Sequence, residues 1–291
     1  ADQSKFDLNS TTGILTFKTA PDYENPTDAD SNNTYVVQVN ATDGNASVSQ
    51  LLTVTVTDEV ETSPSRPVVY VKLSAPGGGD GQSWATAYNQ LRDALPNAPG
   101  GSDIWVAQGT YFASSSNAQS SFFTINSKDL RIYGGFAGNE TSLTERDLPN
   151  NHTVLSADYG QNDSSDPIYT GSTRSENAHH VFWIEDSNAT LDGLTIEGGN
   201  ADLSSVNGMN NGGGVYAKNS NLKIFNCYFT LNSAVSYGGG IYTIGSETLV
   251  SNSVFFNNNG GFNGAGAVNI GQGGSSDTAK FVNTFFINNN L

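Results

Sequence analysis

Apolar and polar positions alternate with period two over short runs in the first sixty residues. Phe6-Asp7-Leu8 and residues 14–17, 35–39 and 51–56 are β-rich, separated by turn sequences such as Thr12-Gly13 and Asp43-Gly44-Asn45. Val37-Gln38-Val39-Asn40-Ala41 and Leu52-Thr53-Val54-Thr55-Val56 alternate as strands with one wet face do. The pattern changes at Trp84. Trp84, Tyr88, Leu91 and Leu95 recur at helical spacing, which predicts one short amphipathic helix with Ser83 as N-cap and Pro96 as its stop. Residues 104–107, 122–125, 130–133, 154–155, 181–184 and 194–196 then predict strands again, with no second helical pattern among them. One helix ahead of many short strands reads as the cap of a stacked structure.

A repeat defines the rest. Gly212-Gly213-Gly214-Val215-Tyr216 recurs as Gly238-Gly239-Gly240-Ile241-Tyr242 and, degraded, as Gly264-Ala265-Gly266-Ala267-Val268, at spacings of 26 and 26. Asn226-Cys227-Tyr228-Phe229 recurs as Asn252-Ser253-Val254-Phe255 and Asn283-Thr284-Phe285-Phe286, at spacings of 26 and 31. Asn232, Asn258 and Asn289 keep the same register. This period, with Gly corners and Asn bends, marks a stacked β-solenoid. Strands stacked about 4.8 Å apart bring equivalent residues into columns. Phe229, Phe255 and Phe286 are expected to stack inside, and the Asn column to hydrogen-bond along its length while tolerating a left-handed bend. Five extra residues in the third coil are assigned to 271–276. Tyr216 and Tyr242 form a column for which core packing is the favoured reading, and Cys227 reads as a buried spacer.

Composition narrows the class. The 291 residues include 32 Gly, 34 Asn, one Cys and one Met, with a net charge of −16. Such a wealth of turn formers predicts an all-β protein, and the 10% aromatic content argues against disorder. The acidity excludes a nucleic-acid backbone binder, since nothing here would replace the phosphate counterions. A lone Cys227 excludes an internal disulfide and a Cys-based zinc site. No run of 18 apolar residues occurs, so no helical membrane span is expected. The chain begins without Met or a leader-like segment, which suggests a processed chain or a piece of a longer one. Charge is uneven: −8 over residues 1–61, −10 over 67–203 and +1 over 204–291. Thr62-Ser63-Pro64-Ser65-Arg66-Pro67 reads as a stiff linker. The expected organisation is therefore residues 1–61, a linker at 62–67, and 68–291.

Acids in the first segment fall at strand ends, where oxygen ligands suit calcium, although a solvated acidic loop would carry the same residues. Phe6-x-Leu8, Thr12-Gly13-x-Leu15, Asp22-Tyr23-Glu24, Val39-x-Ala41-x-Asp43-Gly44 and Val54-x-Val56-x-Asp58 resemble the second half of a bacterial cadherin-like repeat. The resemblance implies a partial β-sandwich with Asp22, Glu24 and Asp58 as Ca2+ ligands and Asp43 as a further candidate. Asp58-Glu59-Val60-Glu61 departs from the family's Asp-x-Asn-Asp ending, and the first half of the repeat, with its own ligating Glu, is missing.

Over residues 68–291 a second resemblance rests on Asp80-Gly81-x-Ser83-Trp84-x-x-Ala87-Tyr88, Ile104-Trp105-Val106-Ala107-x-Gly109-Thr110-Tyr111, Tyr133-Gly134-Gly135-Phe136-x-Gly138-x-Glu140-Thr141, Leu191-Asp192-Gly193-Leu194-Thr195-Ile196-x-Gly198-Gly199 and the glycine repeats. These resemble the right-handed parallel β-helix proteins of bacterial surfaces, which share the pectate-lyase type of fold and the outline of polymorphic outer-membrane adhesins. The implied fold is all-β: a right-handed parallel β-helix with a short N-terminal capping helix, truncated at its C-terminal end, preceded by the partial sandwich.

Catalytic groups are scarce in the repeats. Lys218, Lys223 and Lys280 do not all share one column, and Glu247 and Asp277 are the only acids there, whereas a lyase needs a positioned base with a cation or Arg, and an inverting hydrolase needs facing carboxylates. His179-His180 beside Glu185-Asp186, and Asp158, Asp163 and Asp166, are the remaining candidates; the first reads mainly as structural, the second as a solvated loop. The expected function is a non-enzymatic module of a secreted bacterial cell-surface protein, as adhesin, stalk or filament component. Its expected partners are neighbouring domains or copies, or glycans on another surface. The alternative is a polysaccharide lyase or hydrolase, or a sugar-binding β-helix.

Overall fold

The computed structural model describes residues 2–10, 13–19, 21, 26–42, 46–56, 66–163, 172–203, 208–261, 264–271 and 277–290. The chain forms two compact units, residues 1–65 and 66–291.

In the first unit the alternating runs form two antiparallel pairs. Phe6–Leu8 pairs with Leu15–Phe17, and Thr34–Thr42 pairs with Ser47–Thr55 from Thr34↔Thr55 to Thr42↔Ser47. The inward set is Phe6, Tyr35 and Val37, packed against Leu15, Phe17, Leu52, Val54 and Val56. Asp2 is buried at the start of the chain because both carboxylate oxygens are used: one accepts from the Ala29 amide, the other from the Val36 amide, each at 2.8 Å.

The second unit consists mainly of three parallel sheets. The first runs in the order Thr278–Val282, Glu247–Ser251, Asn221–Phe225, Asn188–Asp192, Asp129–Phe136, Ser102–Ala107, Val68–Val71. The second runs Val268–Ile270, Ile241–Ile244, Val215–Lys218, Phe182–Glu185, Phe123–Asn126. The third runs Phe285–Ile287, Val254–Phe256, Tyr228–Thr230, Leu194–Glu197, Thr153–Ser156, Gly109–Phe112. Each order follows the chain, so the backbone visits the three sheets in turn and lays each strand beside its predecessor. Inward positions stack: Tyr111, Leu155, Ile196, Phe229 and Phe255 form one fully buried column. The ring of Phe255 lies 4.6 Å from Phe229 and 5.2 Å from Phe286, nearly parallel to both, as the repeat required.

The predicted helix is divided in two. Ser83 does cap a turn, its hydroxyl accepting from the Thr86 amide at 3.2 Å, but the turn is a short 3-10 segment, Trp84–Thr86. Tyr88 then pairs in parallel with Val71, donating its amide to the Tyr70 carbonyl, which an α-helix through this position would forbid. The α-helix is Leu91–Asn97, and Pro96 lies inside its last turn instead of beyond it. Leu91, Ala94 and Leu95 enter the core. The helix packs against Val68–Val71, Phe123–Asn126 and Gly109–Phe112, the end strands of the three sheets, so it covers that end of the stack. Lys128 Nζ closes the helix by donating to the carbonyls of Leu95, Pro96 and Ala98 at 2.9–3.0 Å.

Two corrections concern the repeat. The glycine motifs align at a spacing of 26, yet the ladder pairs Ile241 with Val268, 27 residues on. One of the five extra residues therefore enters before this strand, and four follow it before Thr278–Val282 is reached at Glu247↔Thr278. The second correction concerns the asparagines. The left-handed conformation and an amide hydrogen bond meet in the column of Asn226, Asn252 and Asn283, where Asn283 Nδ2 donates to Asn252 Oδ1 at 2.8 Å, whereas the column of Asn232, Asn258 and Asn289 carries the ladder without the left-handed bend. Asn226, Asn252 and Asn283 bend left-handed, with φ of 52°, 51° and 45°. Asn232, Asn258 and Asn289 form the ladder: Asn232 Nδ2 donates to Asn258 Oδ1 at 3.0 Å, and Asn258 Nδ2 to Asn289 Oδ1 at 2.9 Å. A serine ladder runs beside another corner, where the amides of Ser187 and Ser220 donate to the hydroxyls of Ser220 and Ser246.

The middle glycine of the motif has a steric cause. A Cβ on Gly213 would lie 2.3 Å from the Ser233 carbonyl oxygen, and one on Gly239 would lie 2.2 Å from that of Asn259. The corner backbone presses directly on the incoming strand there, and only hydrogen fits.

Candidate functional site

The densest polar chemistry lies where the chain leaves Thr153–Ser156 for Phe182–Glu185. Asp163 is not in a solvated loop: its side chain is 2% exposed, and Oδ2 accepts from Arg174 Nη1 and Asn177 Nδ2, each at 2.8 Å. Asp158 is also buried and accepts from the Asp163 amide at 3.1 Å. Arg174 reaches across neighbouring coils, donating to the Gly199 carbonyl at 3.0 Å and the Leu231 carbonyl at 2.8 Å. Burial raises the carboxyls of Asp163 and Glu197 above their ordinary values, in Asp163 against the pull of Arg174. Oxygens of Asp158, Asp163, Glu176 and Asn177 are buried there without a hydrogen-bond partner among the described residues. Asp166, the third acid expected in this group, lies outside the described residues. Sequence reading missed Arg174, Glu176, Asn177 and Glu197, because three chain segments meet only in the fold and no spacing announces them.

The two histidines are both buried. His179 donates from Nδ1 towards Asp202 at 3.1 Å, and His180 Nδ1 donates to the Gly212 carbonyl at 2.8 Å. Burial pushes the His180 imidazole down to about 4, so it is neutral at pH 7. Its ring sits among Phe122, Trp183 and Tyr216.

Those rings open an aromatic ladder on the second sheet, and here core packing is corrected. Val215 and Ala217 point into the core, so Tyr216 points outwards, as do its ladder partners Trp183 and Tyr242. Trp183 stacks on Tyr216 at 4.3 Å and Tyr216 on Tyr242 at 5.7 Å. Tyr216 is nonetheless only 7% exposed, with Gly208 close over its ring. The ring faces are occupied by one another. Lys218 pairs with Glu185 at 2.7 Å beside them, which removes both from the list of free catalytic groups.

Cys227 is 3% exposed and lies against the Leu191 carbonyl; burial pushes its thiol up to about 12, as expected of an inert spacer.

The calcium candidates Asp22, Glu24, Asp43 and Asp58 all lie outside the described residues. Among the described residues, no group of three His, Cys, Asp or Glu side chains is placed to hold a metal ion. The first unit does contain an oxygen-rich turn the sequence reading passed over: the Asn32 amide donates to Asp28 at 2.9 Å and its Nδ2 to Asp30 at 2.7 Å. Hydrogen bonding to Asp28 raises the Asp30 carboxyl. The signal was present as Asp28-x-Asp30-x-Asn32, three oxygen-bearing side chains at alternate positions.

No family model, curated protein or solved structure matches the chain. No helix among the described residues is long and apolar enough to cross a membrane.

Proposed function

We propose that the chain is a non-catalytic module of a secreted bacterial cell-surface protein, acting as a stalk, adhesin or filament component. In this reading residues 66–291 form a right-handed parallel β-helix capped by Leu91–Asn97, and the first unit is part of a cadherin-like sandwich. The handedness follows from the strong preference of parallel crossover connections. One observation carries the function: the polar side chains of the stack bond coil to coil. The Asn232–Asn258–Asn289 and Ser187–Ser220–Ser246 ladders, the span of Arg174 over two corners and the Lys218–Glu185 pair all serve stacking. A scaffold held by nearest-neighbour coils suits display and spacing.

A second reading has its own observation. Raised carboxyls such as Asp163 and Glu197 are what a glycoside hydrolase needs in a general acid. Incubation of the full chain with uronate polymers and neutral glycans separates the two. The proposed function expects no new reducing ends and no unsaturated products. Turnover that disappears in Asp163→Asn would replace it with the enzymatic reading.

A further inference from the structure

The outer face of the first sheet carries a row of cations. The ladder register runs Arg131↔Thr190↔Lys223↔Leu249↔Lys280, so three bases share one outward column at every second strand. The residues flanking Arg131 and Lys223 along their strands are fully buried, and the three bases are exposed. Two strand spacings, about 9.6 Å, separate successive charges. None of the three has an ion pair among the described residues. Most acids of this face are committed elsewhere: Asp103 and Asp129 to Arg66 at 2.8 and 2.9 Å, and Asp192 to Arg146 at 3.2 Å. Glu247, one column away, is the acid left without an ion pair among the described residues of these columns. A groove of about 350 Å3 lies between Lys223 and Lys280, lined also by Leu249, Asn221, Glu247 and Thr278. In a chain of net charge −16, unpaired positive charge thus recurs here at a fixed interval.

We propose that this row binds a linear acidic polysaccharide charged on every second sugar and lying along the stack. A pyranose ring advances a glycan by about one strand spacing, so alternate acids meet alternate strands. The neutral sugars between them fall over Thr190 and Leu249, and the adjoining column offers Asn188, Asn221 and Thr278 to their hydroxyls. An acidic strand of a second copy presents same-face side chains about 6.7 Å apart and falls out of step with the row. A nucleic-acid backbone carries charge far more densely and is repelled by the chain's net −16. The sparser glycan meets Lys223 and Lys280 within residues 204–291, whose net charge is +1. The inference rests on the proposed non-catalytic surface function and names a ligand class for it.

Surface plasmon resonance of the full chain over immobilised hyaluronan, with its acid on every second sugar, tests this beside polygalacturonate, with an acid on every sugar, and uncharged dextran. Hyaluronan should bind, more weakly as salt rises, and dextran should not. Polygalacturonate should bind several-fold more weakly, because its extra carboxylates fall over Leu249 and beside Glu247 with no cation to meet. Arg131→Gln and Lys223→Gln should each weaken hyaluronan binding roughly tenfold and leave the thermal melt in place, since both side chains are exposed. Lys18→Gln removes the same charge from the first unit and should leave the affinity unchanged. The assignment is overturned if hyaluronan does not bind, if polygalacturonate binds as tightly, or if Lys18→Gln weakens binding as much as Lys223→Gln. It is equally overturned if sedimentation reveals a dimer that Lys223→Gln dissociates. Failure to bind, without turnover, removes this ligand class alone; shortened or unsaturated glycan products remove the non-catalytic reading on which it stands.

Discussion

Asn232 Nδ2 donates to Asn258 Oδ1 at 3.0 Å across 26 residues of chain and one step of the stack, while Asn258 Nδ2 also donates to the Phe229 carbonyl at 3.0 Å. Each amide of the row thus satisfies its neighbour and a backbone group at once. The row behaves as a single polar element inside the fold.

Asn258→Leu should destabilise the second unit by about 2–4 kcal/mol, because it strands the Asn232 amide and the Phe229 carbonyl in a buried site. Asn258→Asp keeps the accepting oxygen but loses the donor to Asn289 and adds a buried charge, so it should not rescue. Urea denaturation followed by tryptophan fluorescence measures both; a loss below about 0.5 kcal/mol for Asn258→Leu would show that the row is dispensable.

Gly239→Ala should cost about 3 kcal/mol or more, as the new methyl meets the Asn259 carbonyl and neither backbone can retreat without breaking a ladder. Gly77→Ala is the comparison, since its added Cβ would meet only Asn89 Nδ2 at 3.7 Å. Equal melting temperatures for the two variants would refute the close-approach explanation.

His180 links stability to pH. Its imidazole is pushed down to about 4 in the fold, whereas the unfolded chain takes up the proton near pH 6.5. Stability from this group is complete above about pH 6.5 and is lost as pH falls towards 4, by about 3 kcal/mol. His180→Phe keeps an aromatic ring among Phe122, Trp183 and Tyr216 and should flatten the slope over that range. An unchanged slope in urea titrations at pH 7 and pH 4.5 would assign the acid sensitivity to other groups.

Calcium has a separable test. Chelation should lower the melting temperature of the first unit and leave that of the second in place. Asp22→Ala with Glu24→Ala should reproduce the chelated melt. Insensitivity to both treatments would remove calcium from this chain.

Much of the fold was legible because it repeats. A strand that must stack on its own copy fixes the inward residue, so Phe229, Phe255 and Phe286 could be placed from spacing alone. The direction of Tyr216 was not legible, since alternation gives two faces and the ring is covered whichever way it points. The one-residue slip at Val268 escaped for a related reason: Gly264-Ala265-Gly266 matches the glycine motif by letter, while the steric demand is met by Gly266. The corner of Asp158, Asp163, Arg174 and Glu197 was illegible because its parts come from segments with no shared period. Asp28-x-Asp30-x-Asn32 was readable, but it fits no strand-end pattern and was passed over.

Along the first sheet, successive coils of 33, 26 and 31 residues (Asn188 to Asn221, to Glu247, to Thr278) separate two dimensions of the molecule. Pitch is set by hydrogen bonds between strands and stays constant from coil to coil, whereas circumference is set at the corners and varies freely. Added length in the corner between Val268–Ile270 and Thr278–Val282 leaves the pairing of Glu247 with Thr278 in register. A foreign peptide inserted between Ile270 and Thr278 should therefore leave every rung of the ladders on either side in register, so this connection is the place to load the scaffold with new sequence.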